Sequence, residues 1–301
     1  MPRSGFIAVA GRPNVGKSTL VNALVGAKVA VTSDKSQTTR RAIRGIVNGS
    51  LEHDPFQLVL VDLPGFQHPR DALTERMQRR VERELGECDA ALFVLNGAEE
   101  SGAGDRFIAK ALRATAVPVV AAVNKTDIID RGATAEALFE TARLEDAGVD
   151  LRAVFPVSAL TGAGVELLRE GLAGLLPEGP FYYPGSTVSD QPREIVIAEL
   201  IREQALRRTR EEIPHSIEVR VEEITEQGEH TTIQAVLWVE SESQKGILIG
   251  RQGSMVRAIG TAARRELERE LAAGVHLDLT VKVRKSWRRD DALLDRLGIE
   301  P

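Results

Sequence analysis

Along residues 1–176, short apolar runs alternate with longer stretches whose apolar positions recur every three or four residues. The runs lie at 6–10, 57–62, 90–96, 118–124 and 153–158. Uninterrupted apolar runs of this length suit strands covered on both faces, and the helical spacing between them suits crossover helices. The pattern therefore predicts a mostly parallel α/β sheet. A sixth strand is expected at 41–47, at an edge where an antiparallel neighbour is common.

Between residues 177 and 193 the pattern breaks into Pro177, Gly179, Pro180, Pro184, Gly185, Ser186, Ser189 and Pro192, which reads as a linker. Phe181, Tyr182 and Tyr183 within it are a stacking platform for bases or an anchor against a domain face. The absence of interleaved basic residues favours the anchor. Beyond the linker the order changes to a helix at 194–210, strands at 216–224 and 231–239, two helices, and a strand at 276–284. This is a small α+β domain, so the expected organisation is 1–176, linker 177–193, and 194–301.

The chain has 301 residues, 43% hydrophobic and 28% charged, with a net charge of -5, which is ordinary globular composition. Cys88 is its one cysteine, so neither an intrachain disulfide nor a thiolate-held zinc is available, and a reducing, cytoplasmic setting is expected. The start carries no signal-like apolar core, and no apolar run is long enough to span a bilayer. Charge is unevenly placed: residues 243–289 hold eleven Lys and Arg against four Asp and Glu, one basic region on an acidic chain.

Gly11-Arg12-Pro13-Asn14-Val15-Gly16-Lys17-Ser18 fits a P-loop between the first strand and the first helix. In such a loop, backbone N–H groups curl round phosphates, the lysine bridges the outer phosphates, and the serine hydroxyl ligates Mg²⁺. Asp62-Leu63-Pro64-Gly65 ends another strand, where Asp62 reaches Mg²⁺ through water and Gly65 lets a backbone N–H approach the γ-phosphate. Asn124-Lys125-Thr126-Asp127 selects the base: the Asp127 carboxylate accepts from guanine N1–H and the 2-amino group, with Asn124 and the Lys125 stem supporting the ring. Ser158 and Ala159 follow the next strand, and the Ala159 N–H is a candidate donor to guanine O6. GTP and GDP are thereby favoured over ATP, and a metabolic kinase is disfavoured.

These segments resemble the phosphate, magnesium and guanine motifs of the translation-factor-related GTPases, and residues 30–40 resemble the first switch of the Era family. The resemblance implies that Thr39 ligates Mg²⁺ in the GTP state; spacing alone leaves the adjacent Thr38 as a competitor. Phe66 stands where Ras-like GTPases carry a water-orienting glutamine, so intrinsic hydrolysis is expected to be slow and no catalytic base is assigned.

In the second domain, Ile249-Gly250-Arg251-Gln252-Gly253 forms an I-G-x-x-G turn between two helical segments, the turn with which a KH domain clamps single-stranded RNA. The order α-β-β-α-α-β resembles a type II KH domain, with Lys245, Arg257, Lys282, Arg284 and Lys285 as a basic surround. Trp287 stacks a base or closes the small core. The whole arrangement resembles the Era family from about residue 5 to residue 289. Departures are Leu63 where Thr is usual, which would soften the switch-to-phosphate contact, and Arg251 and Arg257 where Lys is common.

The resemblance implies a monomer that binds the 3′ end of small-subunit ribosomal RNA under control of GTP and assists maturation of the 30S subunit. It also implies peripheral association with the inner face of the cell membrane. The competing reading is a membrane- or protein-docking regulatory GTPase whose KH-like domain binds a protein; Gly250, Gly253 and the basic segment favour RNA.

Overall fold

A computed structural model describes residues 1–32, 39–51, 53–65, 70–209 and 213–299. The first half runs β1 (Arg3–Ala10), α1 (Lys17–Val25), β2 (Ile43–Leu51), β3 (Asp54–Asp62), α2 (Ala72–Glu87), β4 (Ala90–Asn96), α3 (Ala103–Thr115), β5 (Val119–Asn124), α4 (Arg131–Ala142), β6 (Leu151–Pro156) and α5 (Val165–Ala173). Its sheet has six strands in the order β2-β3-β1-β4-β5-β6. Only the edge pair β2 and β3 is antiparallel. Ile7, Val9, Leu58 and Leu92 face α1 and α5, whereas Ala8, Val61, Phe93 and Ala121 face α2 and α3. Both faces are dry, which is why these strands read as unbroken apolar runs.

The second half runs α6 (Arg193–Arg208), α7 (Ile213–Ser216), β7 (Glu218–Gln227), β8 (His230–Val239), α8 (Glu242–Ile249), α9 (Ser254–Leu271), β9 (Gly274–Val283) and α10 (Asp291–Arg296). Its sheet order is β7-β8-β9, with β8 and β9 parallel. One sheet face, with Ile233, Ala235 and Leu237, packs on Ile201, Leu248, Ile259 and Leu267 of the helices. The alternate residues Val236 and Trp238 turn to the other face, where they meet Leu73 and Met77 of α2 together with Trp287, Leu294, Leu297 and Ile299. The chain end thus folds back to seal the two halves. Trp287 is fully buried and donates its indole N–H to the Ser216 carbonyl at 3.0 Å, so it closes this seam and is not available to stack a base.

The Pro-rich segment is tied to the first half. It runs along the outer edge of β2, where Ile46 N donates to Val188 O at 2.9 Å, so the free edge of the sheet is covered. Gln57, wholly buried in β3, is its staple. Its Oε1 accepts from the backbone N–H groups of Tyr182 (2.8 Å) and Tyr183 (3.0 Å), and its Nε2 donates to Tyr183 O and Asn48 Oδ1, both at 2.9 Å. Tyr182 adds an edge-on contact with Phe6, ring centroids 4.8 Å apart. The aromatics therefore anchor the segment.

Gln57→Leu leaves two N–H groups and a carbonyl without their buried partner, at a cost of about 1–3 kcal/mol for each group that water does not reach. We expect a lower urea midpoint and faster proteolytic cleavage between residues 177 and 190. An unchanged midpoint and cleavage rate would show that the staple contributes nothing.

Candidate functional site

The site forms at the carboxyl ends of the parallel strands. Val9 is in register with Asp62, and Asn96 with Asn124, so the turns after β1, β3 and β5 open on one edge. After β1 the chain turns through Asn14 (φ 64°) and Gly16 (φ 97°) into α1. Gly16 admits no side chain, because a Cβ there would lie 2.3 Å from Asn124 Nδ2.

Lys17 is buried and donates from Nζ to the carbonyls of Gly11 and Arg12, each at 3.0 Å. Burial lowers its ammonium to about 8, an effect only partly opposed by Asp62. Ser18 Oγ donates to Asp62 Oδ2 at 2.6 Å and lies 3.0 Å from Thr39 Oγ1. Asp62 is completely buried and burial pushes its carboxyl up to about 6, against the pull of Lys17; its Oδ1 has no hydrogen-bond partner among the described residues. Three hard oxygen donors beside a lysine, one of them an orphaned carboxylate oxygen, fit Mg²⁺ shared with phosphates. Of the two adjacent threonines, Thr39 is brought to this cluster; Thr38 lies outside the described residues, as does Phe66.

Not every residue of the motif turns inward. The Arg12 guanidinium points away from the cradle, with Nε on Asp105 at 2.8 Å and Nη2 on Glu99 at 3.1 Å. Leu63 is buried in the core beside Val61 and Phe93, so its side chain does not face a phosphate. Gly65 lies against Pro13, and a Cβ on it would come within 2.9 Å of the proline ring. Pro64 joins the two.

The base-side loops are braced by Asn124. Its Nδ2 donates to Val15 O at 2.8 Å and its Oδ1 accepts the Ala159 N–H at 2.9 Å. Asn124 thus clamps the phosphate loop to the loop after β6. The Ala159 N–H, expected to serve guanine O6, is engaged within the protein here. Lys125 takes a left-handed backbone (φ 68°), and Ser158 Oγ donates to Asp127 Oδ1 at 2.6 Å, fixing the carboxylate.

Sequence reasoning missed two features around this edge. Asn22 Oδ1 accepts from Val29 and Ala30, each at 2.9 Å, and so holds the root of the first switch; a lone Asn in a helix gives no such signal. Arg40 and Arg41, which follow Thr39, leave their own domain and enter the second.

In the second domain α8 ends at Gly250 (φ 70°), and the chain turns through Gln252 (φ 52°) and Gly253 (φ 76°) into α9. A Cβ at Gly250 would meet Met255 N at 2.8 Å, whereas at Gly253 nothing lies within 4 Å. Arg251, Gln252 and Arg257 are exposed, Ile249 and Lys245 half-exposed. A cleft of about 420 Å³ opens beside the turn, between Val256, Arg257, Gly260 and Arg264 of α9 and the free edge of β9 at Leu277 to Leu279.

Lys282 and Arg284 are not brought to that cleft. They alternate with the core-facing Val281 and Val283 and so stand on the opposite face of the sheet. There Lys282 is 3.6 Å from Glu222, and Arg284 lies over Trp238 at 5.7 Å from the ring centroid. Lys285 follows them at the exposed end of β9.

Two family models match the chain: one described as "50S ribosome-binding GTPase" over residues 6–125, the other as "KH domain" over residues 212–288. The chain is 48% identical to GTPase Era of a Nocardioides strain, over 98% of this chain and 96% of that one. It is 44% identical to GTPase Era of Carboxydothermus hydrogenoformans, over 98% and 97%. Among solved structures, it resembles a variant of Aquifex aeolicus Era bound to GDP and tetrafluoroaluminate (TM-score 0.94, 34% identity, 99% of this chain and 100% of that one). It also resembles an Era in complex with MgGDPNP and nucleotides 1506–1542 of 16S ribosomal RNA (TM-score 0.93, 33% identity, all of both chains).

Asn124→Ala removes the clamp and frees the Ala159 N–H. Fluorescent guanine-nucleotide titration should show affinity for GDP and GTP analogue falling together by roughly tenfold or more, the equivalent of one buried hydrogen bond. Unaltered affinity for both would show that the clamp does not shape the site.

Proposed function

The chain belongs to the Era family of GTPases, and from that membership we propose a GTP-controlled clamp on the single-stranded 3′ end of small-subunit ribosomal RNA, acting in assembly of the 30S subunit. The observation that carries this is the joining, in one chain, of the phosphate, magnesium and guanine segments on one sheet edge with a Gly250–Gly253 turn beside an open cleft. It is supported by the likeness, over all of both chains, to the Era structure in complex with MgGDPNP and 16S RNA.

In this reading the turn from Gly11 to Gly16 receives the phosphates on its N–H groups, and Lys17 reaches the outer two. Ser18 and Thr39 would hold Mg²⁺ directly and Asp62 through water, and the metal would neutralise charge on the phosphates. Asp127, fixed by Ser158, reads guanine. Gly65, pressed against Pro13, carries its N–H toward the terminal phosphate and senses its presence. Lys17 gives up its two carbonyl partners when phosphates replace them.

RNA enters the cleft between α9 and the β9 edge. Gly250 and Gly253 let its backbone approach the turn, Arg251 and Arg257 meet phosphates, and Ile249 supports a base. Lys245 stands at the rim. We place this activity in the cytoplasm. Among the described residues no helix is long and apolar enough to cross a membrane, so attachment to one would be peripheral.

The test is binding of an oligonucleotide matching the 3′ end of 16S RNA, with GDP, a non-hydrolysable GTP analogue or no nucleotide, across a salt series. Tight, sequence-selective binding with the analogue alone is expected. Gly253→Asp, whose Cβ would meet no protein atom although its backbone is left-handed (φ 76°), puts a negative charge in the cleft and should abolish it while guanine-nucleotide binding persists. Weak binding, equal in every state and lost at moderate salt, would overturn the RNA clamp and favour a docking GTPase with a protein partner.

A further inference from the structure

Thr39 and Arg40 are adjacent residues with opposite destinations. Thr39 Oγ1 lies 3.0 Å from Ser18 Oγ, among the oxygen donors that would hold Mg²⁺. Arg40 crosses into the second domain, where Nη1 donates to Ile217 O at 2.6 Å and to Glu218 Oε2 at 2.7 Å, with the two side chains 1% and 0% exposed. Its guanidinium also lies 5.4 Å from the centroid of the Trp287 ring. Arg41 follows, with Nη1 on Glu199 at 2.6 Å and Nη2 on Leu297 O at 2.6 Å. Ile43 then begins β2, so the segment is fixed on the sheet side within a few residues.

The receiving pocket is charged and dry. Among the described residues Glu199 and Glu218 are the carboxylates that Arg40 and Arg41 meet, and within the second domain the guanidinium that faces both is Arg202, itself fully buried. One cation does not neutralise two carboxylates, and Arg40 and Arg41 supply the rest from the first domain. If they withdraw, a net negative charge remains in a place water does not reach, and the pocket must open or hydrate. Consecutive Cα atoms are held about 3.8 Å apart, so Thr39 cannot leave the metal cluster by more than a few ångström without carrying Arg40 with it.

We infer that Glu218, a residue of the RNA-binding domain, is a positioning residue for the GTP site: by holding Arg40 it presents Thr39 to the magnesium cluster. This goes beyond a general nucleotide-to-RNA coupling by naming the atoms that carry it, and it rests on the GTPase reading of the site. The relay works in both directions. A nucleotide that needs Thr39 favours the docked position of Arg40, and a second domain that holds Arg40 favours that nucleotide by the same factor. GDP, without a terminal phosphate, makes no such demand on Thr39.

The full-length chain and Glu218→Gln are compared for Mg²⁺-dependent affinity for GDP and for a GTP analogue, and for binding of the 16S-derived oligonucleotide in each state. Glu218→Gln should weaken GTP-analogue binding roughly tenfold, within the usual range of intersite coupling, and abolish the nucleotide dependence of RNA binding. GDP affinity should hold. Glu218→Asp keeps the charge and should restore most of the preference. Arg40→Gln should reproduce the loss, and combining it with Glu218→Gln should cost clearly less than the sum of the two, since both break the Arg40–Glu218 pair.

A general structural role for Glu218 would lower GDP and GTP-analogue affinity alike and would overturn the inference, as would unchanged affinity for both. If Glu218→Gln fails to fold, Glu218→Asp and Arg40→Gln decide the matter by the same ratio of affinities. RNA binding that is absent from the wild type in every state defeats the RNA reading, and the nucleotide affinities still decide the relay.

Discussion

A buried carboxylate must be met by a cation or become protonated, and in this chain two of the three guanidinium groups that meet Glu218 and Glu199, those of Arg40 and Arg41, arrive from another domain. Burial alone would push Glu218 up, yet Arg41, Arg40 and Arg202 hold it at about 2. Arg40 is itself lowered by burial, to about 10, which still leaves it charged at neutral pH. The Arg40–Glu218 pair is therefore charged on both sides at neutral pH, and its strength depends on whether the partners are docked. Such a contact is close to all or none. Half-withdrawn, it leaves charge in a dry pocket.

The other contact between the halves behaves differently. Leu73 and Met77 of α2 meet Val236, Trp238, Trp287, Leu294, Leu297 and Ile299, an apolar seam in which each large buried side chain contributes roughly 2 kcal/mol relative to exposure. Dispersion and burial are non-directional, so a seam of this kind tolerates small rotations that an ion pair at 2.7 Å does not. The two contacts together suit a pivot and a latch. The Pro-rich segment sharpens the distinction: Gln57 and β2 hold it to the first domain, and Gln191 still donates to Val29 O at 2.9 Å. Freedom between the halves is then confined to a few residues at the start of α6, and little movement is lost in slack.

The sheet, the second-domain order and the main motifs were legible because they depend on local pattern: apolar runs for strands dry on both faces, glycines at φ near +60° to +100°, and a helix opening at Lys17. What was not legible depended on contacts distant in sequence. Residues 235–239 read as a plain strand, and only the structure shows that Val236 and Trp238 face another domain while Ala235 and Leu237 face their own helices. Lys282 and Arg284 were counted toward an RNA surface by composition, although their position along β9 already fixed them on the face away from the turn. Arg12 was included with its loop, but its guanidinium is held by Asp105 and Glu99. Asn124 was read as support for a base, and only the structure shows that its amide also joins Val15 to Ala159.

The charge pattern between the halves has a consequence for RNA. The first domain supplies mainly cations to the junction, Lys28 to Glu203 and Glu266, Arg40 to Glu218, Arg41 to Glu199, and Arg76 to Asp291 and Asp295. Among the described residues Arg288 with Asp71 runs the other way. A domain with many acidic residues thus has several of them neutralised where it docks, while Arg251, Arg257 and Arg264 remain exposed around the cleft. A polyanion approaching that cleft meets a more positive field when the junction is closed than when its carboxylates are bared. On the proposed RNA reading, the closed junction therefore favours RNA electrostatically. That long-range part is screened over roughly 10 Å at 0.1 M salt, so it weakens first as ionic strength rises, whereas the buried pair itself is screened far less.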